Sequence, residues 1–215
     1  MSVHTRTYRD GDGERVFGTR RSAFIRNGDT YYLTDLVVYA DGLIDCWGLA
    51  TVDEFARKLR SGRVATEFEE GARASLHGVG SWRFADPRSS TDAESLLGEI
   101  RDEIDGLNGR PDSGDRCRAA LEAFLDDSSE DRRADLRAAY LAIPRTRRAF
   151  VVGDMDNKDR PVRILAAGVG GTLPDGGGPF DERDHAGAPA HFERERQAGA
   201  RLFGGPVRGE RPRTS

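Results

Sequence analysis

The chain has 215 residues, of which 37 % are hydrophobic and 33 % charged, and its formal net charge is −4. That is enough for one ordinary domain with extensions or for two small ones, and polar enough that part of it is expected to be disordered. It lacks the basic stripe of a duplex nucleic-acid binder and any apolar run of the ~18 residues a membrane-spanning helix needs, so neither nucleic acid nor a membrane is expected as a partner.

In chain order, residues 1–14 are polar and glycine-rich and are expected to be frayed. The start MSVHTRTYRDGDGER carries no apolar leader, and Cys46 and Cys117 fall in different elements, so a reducing cytoplasmic setting is expected. Arg15 to Ile25 reads as a first strand broken at Gly18, and Asn27-Gly28 as a tight turn. The densest apolar run follows, YYLTDLVVYADGLIDCWGL from Tyr31 to Leu49. Asp41-Gly42 divides it as a two-residue type I′ turn would, with Tyr39 opposite Ile44 and Val38 opposite Asp45. One face then carries Leu36, Val38, Leu43 and Trp47, and the other Val37, Tyr39, Ile44 and Cys46. Both are apolar, so both are expected to be covered. This register sends Asp35 and Asp45 to opposite faces.

Thr51-Val-Asp-Glu54 is a capping box for a helix with Val52, Phe55 and Leu59 inward, stopping at Gly62. Val64 to Phe68 and Arg73 to Phe84 read as strands, the second bent at Gly78 and Gly80. Composition shifts at Asp86 to Ser90, and Thr91-Asp-Ala-Glu94 reads as a second capping box. Its helix carries Leu96, Leu97, Ile100, Ile104 and Leu107 on one stripe and ends at Asn108-Gly109. A helix from about Asp115 to Leu125 and another after Ser128-Ser129, stopped by Pro144, complete a helical layer. Arg148 to Val152 and Val162 to Val169 read as a returning β-hairpin. Residues 171–187 suit a flexible linker, Ala190 to Phe203 a short helix anchored by Phe192 and Leu202, and 204–215 a disordered end. The expected fold is α+β. Residues 1–87 form a small curved antiparallel sheet or open barrel in meander order with one short helix. Residues 88–170 form a three-helix layer with the returning hairpin, and 171–215 a tail.

Candidate chemistry is sparse. The loop 153–161 concentrates Asp154, Asp156, Asn157, Lys158 and Asp159. Alternating oxygen donors can hold a divalent cation, but Lys158 takes an acidic position and no Glu closes the loop. Self-capping of a hairpin loop is the preferred reading, polar contact with a ligand comes next, and a metal is last, so none is expected. Asp35 and Asp45 interrupt apolar strands. Buried carboxylates mark active sites, whereas sheet-edge placement or pairing with one of the many arginines is the plainer and preferred reading. Trp47 and Trp82 read as core first and as ligand platforms second. No Ser/His/Asp or Cys/His set is suggested. Gly168-Val-Gly170-Gly171 lacks the third glycine and following helix of a dinucleotide loop.

The strings FIRNGDTYYLTDLVVYADGLIDCWGLATVDEFARKLRSGRVAT, SWRFADP, EIRDEIDGLNGRPDS, LRAAYLAIP and VVGDMDNKDRPVRIL occur here in order. Over residues 7 to 170 they resemble the N-terminal accessory region of actinobacterial proteins that end in a NADAR domain, with HAGAPAHFERER in place of a short acidic-aromatic helix. NADAR domains are associated with hydrolysis of N-glycosidic bonds in ADP-ribose-like or riboflavin-pathway-like molecules. The resemblance places that activity in the domain that would follow Ser215, so no catalytic residue carries over and no cofactor is implied. The expectation is a non-catalytic binding or regulatory module, with a NADAR-type protein or a nucleotide-like small molecule as partner. Its ligand residues would be Asp35, Asp45, Trp47, Trp82 and the 154–159 group. The alternatives are a small hydrolase with aspartates as general acid and base, and a structural subunit docking through its C-terminal tail.

Overall fold

The computed structural model describes residues 5–11, 13–150, 159–174 and 178–203, without the side chains of residues 159 and 195–203. The chain divides into two compact units, Met1–Arg116 with Ala142–Arg147, and Cys117–Leu141 with Arg148–Ser215.

The first unit is α+β. Its sheet contains β1 (Thr5–Gly11), β2 (Glu14–Asn27), β3 (Thr30–Tyr39), β4 (Ile44–Asp45), β5 (Leu49–Ala50), β6 (Val64–Ala65), β7 (Arg73–Leu76) and β8 (Gly80–Arg83). The path β1-β2-β3-β4-β5 is antiparallel and does not close; β6 joins β2, and β7 joins β3 with β8 beyond it. The order is not a pure meander, because β7 runs parallel to β3, Thr30 beside Arg73. Between them the chain passes through α1 (Val52–Arg60).

Several local expectations change. Residues 5–11 are not frayed but pair with β2, Tyr8 opposite Phe17. Gly18 does not break β2. A Cβ there would stand 2.7 Å from the Val38 carbonyl oxygen and 2.8 Å from the Tyr39 ring, so the glycine is where that ring crosses the strand. Val64 to Phe68 is a strand only at Val64–Ala65. Arg73 to Phe84 is two strands, with Leu76 paired to Gly80 and Gly78 in the left-handed region between them.

The central hairpin is out of its expected register by one residue. Tyr39 N–H donates to the Leu43 carbonyl at 2.9 Å and Gly42 N–H to the Tyr39 carbonyl at 3.0 Å. The loop is therefore Ala40-Asp41-Gly42, a turn closed by Gly42 at φ 84°, and not a two-residue turn. Val38 pairs with Ile44 and Val37 with Asp45. One slipped residue exchanges the faces of the second strand. Leu36, Val38, Ile44 and Cys46 join one buried cluster with Ile25, Phe55, Leu59 and Val64. Asp35 and Asp45 share the opposite face.

Two helices line that cluster. The expected box of α1 is present: Glu54 N–H donates to Thr51 Oγ1 at 3.3 Å, and Thr51 N–H to Glu54 Oε2 at 2.8 Å. Phe55, Ala56 and Leu59 are buried. α2 (Ala93–Leu107) adds Leu96, Ile100 and Ile104. It is capped by Asp92, whose Oδ1 accepts from Ser95 N–H at 2.7 Å, and not by Thr91. Full burial of such side chains is worth about 1.5–3 kcal/mol each, which is why α2 belongs with the sheet. The far face is covered differently: Phe24 and Tyr31 meet Phe68 and Phe84 with ring centroids 5.1–5.7 Å apart, edge to face.

A polar stripe of α2 ties the unit together. Glu99 binds Arg21 at 2.7 Å and accepts from Thr146 Oγ1 at 2.5 Å, and Thr19 donates to Glu103. Asp102 is 4 % exposed. It accepts from Ser113 N–H at 2.8 Å and Ser113 Oγ at 2.6 Å, with Arg116 at 3.6 Å and Arg147 at 3.5 Å. Ser113 opens α3 (Ser113–Asp126).

The second unit is helical. It contains the rest of α3 with Cys117, Leu121 and Phe124 buried, most of α4 (Glu130–Ala142) with Leu136 and Tyr140 buried, α5 (Asp159–Ala167) and α6 (Glu182–Phe203). Among the described residues the expected returning hairpin is not formed; Val151, Val152 and residues 153–158 of it lie outside them. Arg145–Phe150 is a 3-10 turn, and Val162, Ile164, Leu165 and Ala166 are buried on α5. Pro161 sits in the first turn of α5, where its missing N–H costs nothing. Gly168 to Gly171 thus follow a helix, not a strand. The expected linker contains buried Leu173 and Phe180, and α6 begins at Glu182, where Asp181 Oδ1 accepts from Asp184 N–H at 2.8 Å. Phe192 is buried as expected; the Leu202 side chain and residues 204–215 lie outside the described residues. Arg133 stacks on Phe124 and donates to the Leu165 carbonyl at 3.1 Å and to His185 Nε2 at 2.6 Å. Burial and the neighbouring guanidinium lower the His185 pKa.

Candidate functional site

A cavity of about 400 Å³ opens in the first unit at the end of the sheet where β2 turns into β3. Four separate segments build its wall. Arg26 comes from the last turn-ward residues of β2, Tyr31 from the start of β3, Arg60 from the final turn of α1, and Glu67, Phe68 and Glu69 from the segment after β6. Ala93, the first residue of α2, brings the electropositive end of that helix to the rim. The Arg26 guanidinium is triply placed: it lies 5.6 Å over the Tyr31 ring, pairs with Glu69 at 2.8 Å, and donates from Nε to the Gly28 carbonyl at 3.3 Å. The wall thus combines two arginines, of which Arg26 is held in place, two carboxylates and two aromatic side chains. Its charges balance, and Arg26 is already paired with Glu69. No run in the sequence announces this cavity, because its residues converge only after the two turns at residues 28–29 and 61–63 form.

Trp47 lies in the turn between β4 and β5 and is 47 % exposed, so it is not core. Its φ is 53°, a left-handed conformation uncommon for a bulky residue. The turn is held from both ends: Asp45 Oδ1 accepts from Gly48 N–H at 3.1 Å, and Lys58 Nζ donates to the Cys46 and Gly48 carbonyls at 3.1 and 3.4 Å. The indole meets the Tyr32 ring at 5.3 Å and the Arg63 guanidinium at 5.6 Å. Arg63 in turn donates to the Arg26 carbonyl and to Asn27 Oδ1, both at 3.1 Å. Arg26 N–H donates back to the Arg63 carbonyl at 2.8 Å, so the Trp47 platform and the cavity share the Arg26–Arg63 contact. Beside this turn, burial pushes the Cys46 thiol up to about 11.

The other sequence-derived candidates do not gather with it. Asp35 is exposed and pairs with Arg20 at 3.3 Å. Asp45 serves the turn just described. Asp35 follows the plainer reading, an arginine pair, whereas Asp45, between β3 and β5, makes a local backbone contact that this reading did not include. Trp82 is 40 % exposed on β8 and also is not core. It pairs with Ala74 and so lies on the Tyr31 face, opposite to Trp47 and Tyr32. Asp154, Asp156, Asn157 and Lys158 lie outside the described residues, as does the Asp159 side chain. Among the described residues no group of three His, Cys, Asp or Glu side chains could hold a metal ion. No described helix is long and apolar enough to cross a membrane.

No curated protein and no solved structure matches the chain. Two family models do, in tandem: residues 6–111 match a domain of unknown function, DUF7638, and residues 112–202 match a second domain of unknown function, DUF7639.

Proposed function

We propose that this chain is a binding or regulatory module whose ligand is a small anionic molecule with a flat ring, nucleotide-like in character, received in the cavity between β2, α1 and the segment after β6. The observation that carries the reading is the placement of Arg26 and Arg60 around Tyr31 and Phe68 in one cavity of about 400 Å³. Arginines bind phosphate or carboxylate in a planar, charge-assisted way, and the half-buried Phe68 ring borders them, with Tyr31 buried beneath. The hydrolase alternative needs two carboxylates poised on one substrate. Of the aspartates put forward for it, Asp35 is engaged by Arg20 and Asp45 by the Gly48 amide, and of the cavity's own carboxylates Glu69 is engaged by Arg26; on these the binding reading is preferred. The docking alternative narrows to residues beyond α6, since removal of residues 172–215 would strip Leu173, Phe180 and Phe192 from the interior of the second unit. The resemblance drawn from the sequence makes a NADAR-type protein the proposed partner; co-purification of the two tests it.

A thermal-shift series with ADP-ribose, NAD and FMN tests the ligand. A ligand that binds only the folded chain stabilises it by about 2.7 kcal/mol at a hundredfold excess over Kd. The expected result is a shift with at least one of these and its loss in Arg26→Ala and Arg60→Ala. No shift with any of them refutes the reading.

A further inference from the structure

We infer that the open edge of β1 is a self-complementary surface on which a second copy of this chain docks by antiparallel strand addition centred on Tyr8. Among the described residues β1 pairs with β2 alone and ends the sheet. The direction of its backbone groups follows from its neighbour. Phe17, the partner of Tyr8, accepts from Ala40 N–H through its carbonyl at 2.9 Å. Its backbone therefore points toward β3, the Tyr8–Phe17 pair is a non-hydrogen-bonded one, and the N–H and C=O groups of Arg6, Tyr8 and Asp10 all point to the open edge. In an antiparallel pair of two β1 strands centred on Tyr8, these same three residues become the hydrogen-bonded positions.

The side chains agree with that register. Tyr8 meets Tyr8 of the second copy, and Arg6 falls opposite Asp10 twice, so the edge is complementary to itself in charge. Tyr8 and Phe17 are 53 % and 62 % exposed, and they lie side by side on one face. Two copies align four rings in one continuous row, Phe17, Tyr8, Tyr8 and Phe17, and cover the exposed apolar surface of both. Arg15, 4.2 Å over the Tyr8 ring and opposite Asp10 in β2, flanks that row.

Sedimentation velocity on the full chain across the micromolar range tests this. The wild type is expected to run at twice 23.6 kDa. Arg6→Asp and Asp10→Arg each place like charges opposite one another twice and should raise the dimer Kd by at least about tenfold. The combined Arg6→Asp/Asp10→Arg variant restores the pairing and should dimerise again. Tyr8→Ser, which removes the central rings, should also dissociate the dimer; circular dichroism checks that each variant is folded. A monomeric wild type overturns the proposal. So do a dimer indifferent to every single substitution and a folded double variant that stays monomeric.

Discussion

Replacing Asp102 with alanine probes a buried polar contact of the first unit. The carboxylate is 4 % exposed and accepts two hydrogen bonds from Ser113, itself 3 % exposed. Arg116 and Arg147 stand within 3.6 Å with their side chains about half exposed. Hydrogen bonds to a charged group are worth about 1.5–3 kcal/mol, and a buried donor left unpaired costs about 1–3 kcal/mol. The two arginines regain water, so their share is discounted. The sum points to a loss of about 3 kcal/mol, or roughly 6–12 °C in melting temperature for a chain of this size. Ser113→Ala removes only the hydroxyl and should cost about 1 kcal/mol. Thermal unfolding followed by circular dichroism measures both. An Asp102→Ala variant within 0.5 °C of the wild type would refute the assignment of Asp102 as a hub. The contact also crosses the seam between the two matched families, at residues 111/112, so a fragment cut there should show the same deficit.

Three further outcomes follow from the geometry. Gly18→Ala drives a methyl against the Val38 carbonyl and the Tyr39 ring and should destabilise by about 1–3 kcal/mol, read from the urea midpoint. His185 has a folded pKa below its ordinary value, so its contribution is present above about pH 6.5 and is lost as pH falls through the folded value; His185→Gln should flatten that acid limb in a stability-against-pH series. The buried Cys46 and Cys117 thiols are both held up near 11. Their share of stability is full below the unfolded thiol pKa and declines as pH rises toward the folded one, and a thiol reagent at neutral pH should label neither until denaturant is added.

The central hairpin shows what was legible and what was not. Asp-Gly marks a turn whether it fills both places of a two-residue loop or the last two of a three-residue loop, so the motif located the turn without setting its register. The burial pattern carried the missing information: only the observed register collects Leu36, Val38, Ile44 and Cys46 on one face and leaves both aspartates on the other. The α1 capping box was readable because it is local. Val162 to Val169 was misread because a short apolar run has no period of its own, although Pro161 just before it was a helix-start signal. The start of α6 was hidden by glycine and proline in the preceding segment, whose burial of Leu173 and Phe180 depends on distant neighbours. The cavity residues were not legible at all, since no spacing within one segment relates Arg26, Arg60 and Glu69.

The mixture of strand directions in the sheet bears on the order in which the chain folds. Every residue of β3 pairs with β2 across a two-residue turn, a set of contacts with almost no loop to close. The parallel pairing of Thr30 with Arg73 waits for everything between them, and its loop entropy must be met before any of its contacts reward it. The transition state should therefore be polarised, with φ-values high in the β2–β3 hairpin and low in β7 and β8. A slow addition of β7 would leave Tyr31 uncovered on that side, so the cavity would be the last part of the sheet to mature.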